Sequence, residues 1–329
     1  MSVEIFFFGL DQIGTSIGMA LAETDLDIVR IGHDPDRQRA RRAQELGAIQ
    51  RLVSHPRNAP KSADLVIMDV PTIDVRAYLE MLAKNLKPEG VVIDTTPFRS
   101  QVTSWADEMF PDDRYYVGAT PVIGPDSLLE ESRVTQEPDA DIFRGGLLAL
   151  TISKNTPQQA VTACLNLAAV LGATPFFLDP HEHDGVSASV EGLPLLVAAA
   201  MMQSSVKATN WRDIQRMGGV TFANLTGLCT TQPADVLGGS LSLNREILLA
   251  KLDTFVEELH HLRELLTEEN GQSLEDYFAD ATTARASWLS ARRKGDWAGQ
   301  DIVQEPQPTK RGFIGNLFGI RPRDDKKRK

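Results

Sequence analysis

Cysteine is nearly absent from this chain of 329 residues: only Cys164 and Cys229 occur, far apart and without metal-ligand spacing. Two isolated thiols exclude a disulfide framework and a cysteine-rich metal site, and they read as reduced side chains of a cytosolic protein. A surplus of positive charge is missing too. At a net charge of −11 the chain lacks the basic face that phosphate backbones require, which argues against nucleic acid as a partner and for a small molecule. The first residues carry neither the basic start nor the cleavage site of a secretory leader. No apolar run reaches the roughly 20 residues needed to cross a bilayer, so the expected compartment is the cytoplasm.

What is present is ordinary globular composition, 42% hydrophobic and 24% charged, in enough length for two domains. From Glu4 to about Ser153, strand-like runs (EIFFFG, DIVRIGHD, DLVIMDVP, VVIDTT, YYVGATP, LLALTIS) alternate with amphipathic segments of helical length. A helix-like stretch from Pro157 to Gly172, followed by TPFFLDP, adds one more pair. Such alternation predicts an α/β fold whose largely parallel sheet is covered by helices on both faces. Pro35 at a first-turn position and Gly47 at the stop bracket one of those helices. After Pro180 the period becomes helical. The run GLPLLVAAAMM is more apolar than an exposed helix requires, and residues 244–266 repeat apolar positions at helical spacing. Both predict a helical second domain or an intertwined dimer core. The expected division is 1–180, 181–293 and a polar, Pro-rich segment 294–329.

The most specific motif lies in the first 34 residues, where an apolar strand enters Gly9-Leu10-Asp11-Gln12-Ile13-Gly14, a helix follows, and a second strand ends at Asp34. This is the layout of a dinucleotide-binding βαβ unit of the Rossmann type, with an acidic residue about twenty positions beyond the glycines. The middle glycine is replaced by Asp11. Three readings of Asp11 stay open. It faces the pyrophosphate, where like charges ~5 Å apart at an effective dielectric of ~20 repel by ~3 kcal/mol; it turns outward and caps the helix; or the nucleotide site is retired. Asp34 predicts an acceptor for the adenosine ribose hydroxyls, favouring NAD over NADP, and alternatively a cap for the helix begun at Pro35. Arg37, Arg39, Arg41 and Arg42 offer either a receiver for a 2′-phosphate or a solvated face. His181 and His183, two apart, suit a helix start better than a metal site. His260 and His261 read as helix surface, and Asn244 and Arg245 as either cleft residues or an exposed face.

The chain ends in two basic clusters around Phe313, Ile314, Leu317, Phe318 and Ile320. From residue 310 this tail carries +6 against −17 for the rest, which predicts weak docking on an anionic membrane surface or a protein, or else plain disorder.

The order of motifs over residues 3–268 resembles the prephenate and arogenate dehydrogenase family, which makes tyrosine precursors by oxidative decarboxylation with NAD or NADP. The resemblance rests on the fingerprint, QELGAI, DLVIMDVP, LKPEGVVIDTT, VGATPVIGPD, FLDPHEHDGVSASVEGLPLL and SLNREILL. It implies a Rossmann-type domain followed by a helical dimerisation domain, in a homodimer. It also implies that Gly9, Leu10, Asp11, Gln12, Ile13, Gly14 and Asp34 meet the cofactor, that Pro71 and Thr95 line its nicotinamide side, and that Thr96, Thr120 and Glu191 face the substrate. The family's chemistry, however, does not carry over. Its proton-accepting His is Thr120 here, its Gly-Ser-Val-Lys turn is Thr96-Pro97-Phe98-Arg99, and its Ser-His-Leu-Pro-His helix is Glu191-Gly192-Leu193-Pro194-Leu195. Its substrate-binding Arg falls at Gly227. A threonine hydroxyl is far too weakly acidic for general-base work, and a pocket stripped of cations cannot take a dicarboxylate. Glu191 is the remaining candidate base, if Leu193, Leu195 and Leu196 bury it; otherwise it is a surface glutamate. The implied function is an NAD(P)-dependent oxidoreductase with an altered substrate, the alternative being a catalytically silent dinucleotide-binding or scaffold protein.

Overall fold

A computed structural model describes residues 2–129, 137–153, 156–268 and 271–295 of the chain. The basic tail at 310–329, with its expected docking role, lies outside the described residues. The chain groups into two compact units: one holds Met1–Val70, Asp74–Pro180 and the chain from Arg285 on, the other Pro71–Ile73 and His181–Ala284.

In the first unit a single sheet is built from β1 (Val3–Phe8), β2 (Ile28–His33), β3 (Arg51–Leu52), β4 (Leu65–Met68), β5 (Val91–Asp94), β6 (Tyr115–Val122), β7 (Leu147–Thr151) and β8 (Thr174–Phe177). Their order is β3-β2-β1-β4-β5-β6-β7-β8, and all neighbours are parallel except β6 and β7. This is the doubly wound α/β fold expected from the strand-helix alternation. Residues 5–8 of β1 read as unbroken apolar sequence because both faces of the strand are covered there. Ile5 and Phe7 enter a core shared with Ile17 and Leu21 of α1 (Gln12–Ala22), whereas Phe6 and Phe8 enter the opposite core. That opposite core holds Leu79 and Leu82 of α3 (Val75–Asn85) and Val102 of α4 (Ser100–Met109). α6 (Gln158–Leu171) covers the first face through Cys164 and Leu167.

The helix between β2 and β3, α2 (Arg37–Glu45), starts later than Pro35 suggests. Its cap is Asp36, whose carboxylate accepts from the Gln38 and Arg39 amides, so Asp34 is not the cap. Its end matches expectation: Gly47 has φ +76° and supplies the left-handed turn there. A short helix, α5 (Pro125–Leu129), follows β6.

The second unit is helical. α7 (Pro180–Ser187) runs through a π-helical turn, Ala188–Gly192, into α8 (Leu193–Val206). α9 (Trp211–Met217), α10 (Val220–Thr226), α11 (Ala234–Ser242), α12 (Arg245–Thr267) and α13 (Gln272–Lys294) complete it. Pro180–Val206 forms 27 continuous helical residues, within which an 18-residue window has a mean hydropathy of 1.5. By length and composition only, that window is long and apolar enough to cross a membrane; it includes Glu191, so the expectation that no apolar run reaches about 20 residues stands. Only Ala198 and Ser205 of α8 are buried, so the apolar run GLPLLVAAAMM is not wrapped within its own chain. The last turns of α13 group with the first unit instead of the helical one, and the Arg292 guanidinium donates to the Ile123 carbonyl there.

Candidate functional site

In a doubly wound sheet the ligand crevice opens at the carboxyl ends of the strands where the strand order reverses, here between β1 and β4. Gly9 follows β1 with φ +85°, and a Cβ on it would sit 1.7 Å from the Asp69 carbonyl oxygen. Only glycine serves at this position, because the turn is left-handed and the β4 backbone passes against it. Gly14 is similarly constrained: a Cβ there would lie 2.4 Å from the Gly9 oxygen. The glycine turn thus directs the start of α1 at the crevice, the geometry that binds phosphate at a helix N-terminus.

The polar groups around this turn are largely the chain's own carboxylates. Asp34, 7% exposed at the end of β2, accepts from the Leu10 amide at 2.8 Å and from the Asp36 amide at 2.7 Å. Asp11 is the N-cap of α1; one oxygen accepts from the Gln12 amide at 3.0 Å, and the other pairs with Arg39 Nη1 at 3.0 Å. Its side chain is 59% exposed, so of the three readings the outward-turned cap describes its position. Arg39 also lies 3.6 Å from Asp34 and 3.7 Å from Asp36, so it belongs to a carboxylate cluster and not to a merely solvated face. Gln12 Nε2 reaches the Glu137 carbonyl at 3.4 Å. The residue that the sequence did not single out is Asp69, immediately after β4. Its Oδ2 accepts from the Gly14 amide at 2.8 Å and its Oδ1 from the Thr95 hydroxyl at 2.9 Å. Burial, reinforced by the charges of Asp11 and Asp94, pushes the Asp69 carboxyl up to about 6 despite those two hydrogen bonds.

One strand further along, β5 and β6 hold a second polar cluster. Arg99 and Asp94 are both 0% exposed and meet at 2.6 Å. Asp94 Oδ2 also accepts from the Thr96 hydroxyl and the Tyr116 phenol, each at 2.8 Å, and Oδ1 accepts from the Thr96 amide at 3.0 Å. Burial beside the Asp94 carboxylate raises the Tyr116 phenol well above its ordinary range, which keeps it a donor. The other arm of Arg99 donates to the Thr120 hydroxyl at 2.7 Å, and that hydroxyl donates to the Thr96 carbonyl at 3.2 Å. The expected substrate-facing pair Thr96 and Thr120 is therefore together, but both hydroxyls serve a buried ion pair. Thr120 is a strut in this cluster, its hydroxyl bonded to Arg99 on one side and to the Thr96 carbonyl on the other.

The remaining candidates lie in the second unit. Pro71 groups with it, and Glu191 occupies the π-helical turn, a feature that recurs at functional sites. Glu191 is exposed, yet desolvation by the surrounding protein raises its carboxyl above the usual range. Gly192, where the family resemblance implies an imidazole, faces Leu248 of α12: a Cβ would meet Leu248 Cδ2 at 2.4 Å. His183 is 3% exposed, with Nδ1 3.3 Å from the Ser187 hydroxyl one turn on, which makes it a helix-interior group instead of a cap. His260, His261 and Arg245 are exposed, and Asn244 is buried at the start of α12.

The left-handed Gly9 at the switch point of this sheet places the protein among Rossmann-type nucleotide-binding proteins. The comparisons narrow the class. The family model described as "Prephenate dehydrogenase, nucleotide-binding domain" matches residues 17–175, and "Prephenate dehydrogenase, dimerization domain" matches residues 179–280. The chain belongs to the prephenate/arogenate dehydrogenase family, and it is an oxidoreductase type with a nucleotide-binding domain suited to NAD(P). It is 27% identical over 297 residues to the prephenate dehydrogenase of Bacillus subtilis, covering 90% of this chain and 78% of that one. To the cyclohexadienyl dehydrogenase of Zymomonas mobilis it is 24% identical over 288 residues, covering 86% and 94%. Among solved structures, prephenate dehydrogenase from A. aeolicus in complex with hydroxyphenyl propionate and NAD+ superposes with a TM-score of 0.75 at 19% identity, covering 87% of this chain and 98% of that one. Synechocystis arogenate dehydrogenase gives 0.65 at 18% identity, covering 87% and 100%. At such identities the structural likeness is one of fold.

Proposed function

We propose that this protein is an NAD-linked, homodimeric dehydrogenase of the family that acts on a substrate other than prephenate or arogenate. The observation that carries the change of substrate is the Thr120 hydroxyl, held between the Arg99 guanidinium at 2.7 Å and the Thr96 carbonyl at 3.2 Å. At the position of the family's proton-accepting His, this chain offers a group that neither takes a proton near neutrality nor turns freely. A bound nicotinamide dinucleotide supplies the hydride acceptor. This chain's residues supply the glycine turn for its pyrophosphate, Asp34 for its adenosine ribose, and Thr95 at the end of β5 for its nicotinamide side. NAD is favoured over NADP because Arg39, the cation nearest Asp34, is already shared among Asp11, Asp34 and Asp36 and so has little charge left for a 2′-phosphate. Glu191, with its raised carboxyl, is the side chain suited to move a proton if turnover occurs.

A second reading, a silent dinucleotide-binding or scaffold member, is favoured by the loss of both imidazoles at Gly192 and Leu195 and by the packing of Leu248 against the first of these positions. Calorimetric titration with NAD, NADP and their reduced forms tests the nucleotide part of both readings. Binding of NAD tighter than NADP supports them, and absence of binding at millimolar concentrations overturns the oxidoreductase.

A further inference from the structure

Among the carboxylates around the glycine turn and the next strand, four have a guanidinium beside them. Asp11, Asp34 and Asp36 share Arg39 of α2, and Asp94 at the end of β5 has Arg99 at the start of α4. Asp69 at the end of β4 is held by neutral donors instead, the Gly14 amide and the Thr95 hydroxyl. The Gly14 amide is one of the N–H groups at the start of an 11-residue helix that has no acidic residue in its first turn. A helix start of this kind attracts an anion, and the anions it already has are the exposed Asp11 cap on the Gln12 amide and the Asp69 side chain on the Gly14 amide.

We propose that Asp69 sets the affinity of the cofactor site: its carboxylate occupies part of the phosphate cradle, opposes the dinucleotide pyrophosphate while ionised, and ceases to oppose it when protonated. The proposal rests on the reading that this domain binds NAD. It deepens that reading by making the affinity depend on one proton.

The local geometry accommodates both states without rearrangement. Thr95 Oγ1 lies 2.9 Å from Asp69 Oδ1 and 3.3 Å from the Met68 carbonyl. With Asp69 ionised, the hydroxyl donates to the carboxylate. With Asp69 protonated, the acid donates to Thr95 Oγ1, whose own hydrogen turns to Met68. Gly14 donates to Oδ2 in either case. The charge stays close to the cradle because the backbone of Asp69 is packed on Gly9, where a Cβ would already collide with its carbonyl at 1.7 Å. The carboxyl's position near 6, raised chiefly by burial and further by Asp11 and Asp94, puts the change in the range where cells operate. The sign follows: NAD binds better below that value and worse above it.

The test is the NAD dissociation constant by calorimetry at constant salt from pH 5 to pH 8, for the intact chain, for Asp69→Asn and for Asp11→Asn. Asn keeps both contacts, accepting from Gly14 and donating to Thr95, and Asp69→Ser is measured alongside in case Asn does not fold. The intact chain is expected to weaken about tenfold or more across this range, the repulsion of one charge some 5 Å from the pyrophosphate. Asp69→Asn should be flat and as tight at pH 8 as the intact chain is at pH 5. Asp11→Asn should retain the slope, since Asp11 is paired and exposed. An intact chain that binds NAD with no slope, or a slope that survives in Asp69→Asn and Asp69→Ser, overturns the proposal and leaves the cofactor reading standing. Failure of every form to bind at any pH overturns the cofactor reading and the proposal with it.

Discussion

At the scale of single residues, the nucleotide-binding domain holds two carboxylates, Asp94 and Asp69, in opposite surroundings. Arg99 and Asp94 show what a fully buried ion pair demands. Each is 0% exposed, and Asp94 receives a cation, two hydroxyls and an amide. Replacing Arg99 with Met leaves a buried carboxylate without its cation, which costs about 3–5 kcal/mol when one partner of such a pair is removed. Urea unfolding of Arg99→Met should show a loss of that size, and a loss below about 1 kcal/mol would mean the pair is solvated. Asp69 acts in the opposite sense. Its carboxyl is raised to about 6 from 3.8, so the native state holds the proton more tightly than the unfolded chain. The associated stability is complete below the unfolded value and is lost as pH rises through about 6. Asp69→Asn removes that loss. It should stabilise the protein at pH 8 by at most about 3 kcal/mol and leave it unchanged at pH 4, as read by thermal unfolding at both values. An equal gain at both would assign the effect to packing.

At the scale of elements, punctuation was legible in the sequence and pairing was not. β1, the glycine turn and α1 are contiguous, so local pattern revealed them, as it revealed the left-handed stop at Gly47. The cap of α2 was misplaced by two residues because Asp34 and Asp36 flank Pro35 symmetrically in sequence, and only the backbone decides which of them faces the helix amides. Asp69 escaped notice because its partner Gly14 lies 55 residues away and meets it only when β4 docks beside β1. Thr120 was legible as a candidate, but its tie to Arg99 needs β5 and β6 side by side. The π-helical turn at Ala188–Gly192 leaves no mark in a sequence period. The helices of the second unit carry a consequence of their own. Met217 is 85% exposed and Val220 76%, on either side of Gly218-Gly219, while α8 buries only Ala198 and Ser205. Apolar side chains left open in this way mark an interaction surface. The double variant Met217→Asp, Val220→Asp should shift sedimentation from dimer to monomer at micromolar concentration, and a dimer of undiminished stability would place the interface elsewhere.

At the scale of the whole molecule, two family domains are joined in one chain: the sheet retains its switch-point crevice, and the helical unit retains its apolar faces. The proposed change of substrate rests on the groups that would hold a dicarboxylate and accept its proton. The family resemblance implies three imidazoles and a guanidinium where this chain has Thr120, Gly192, Leu195 and Gly227. The most direct measurement is therefore steady-state formation of reduced cofactor from prephenate with NAD by the intact chain, followed by absorbance near neutral pH. The account predicts no rate above the enzyme-free background. A sustained turnover of about 1 s⁻¹ or faster, ordinary for an enzyme on its own substrate, would contradict it.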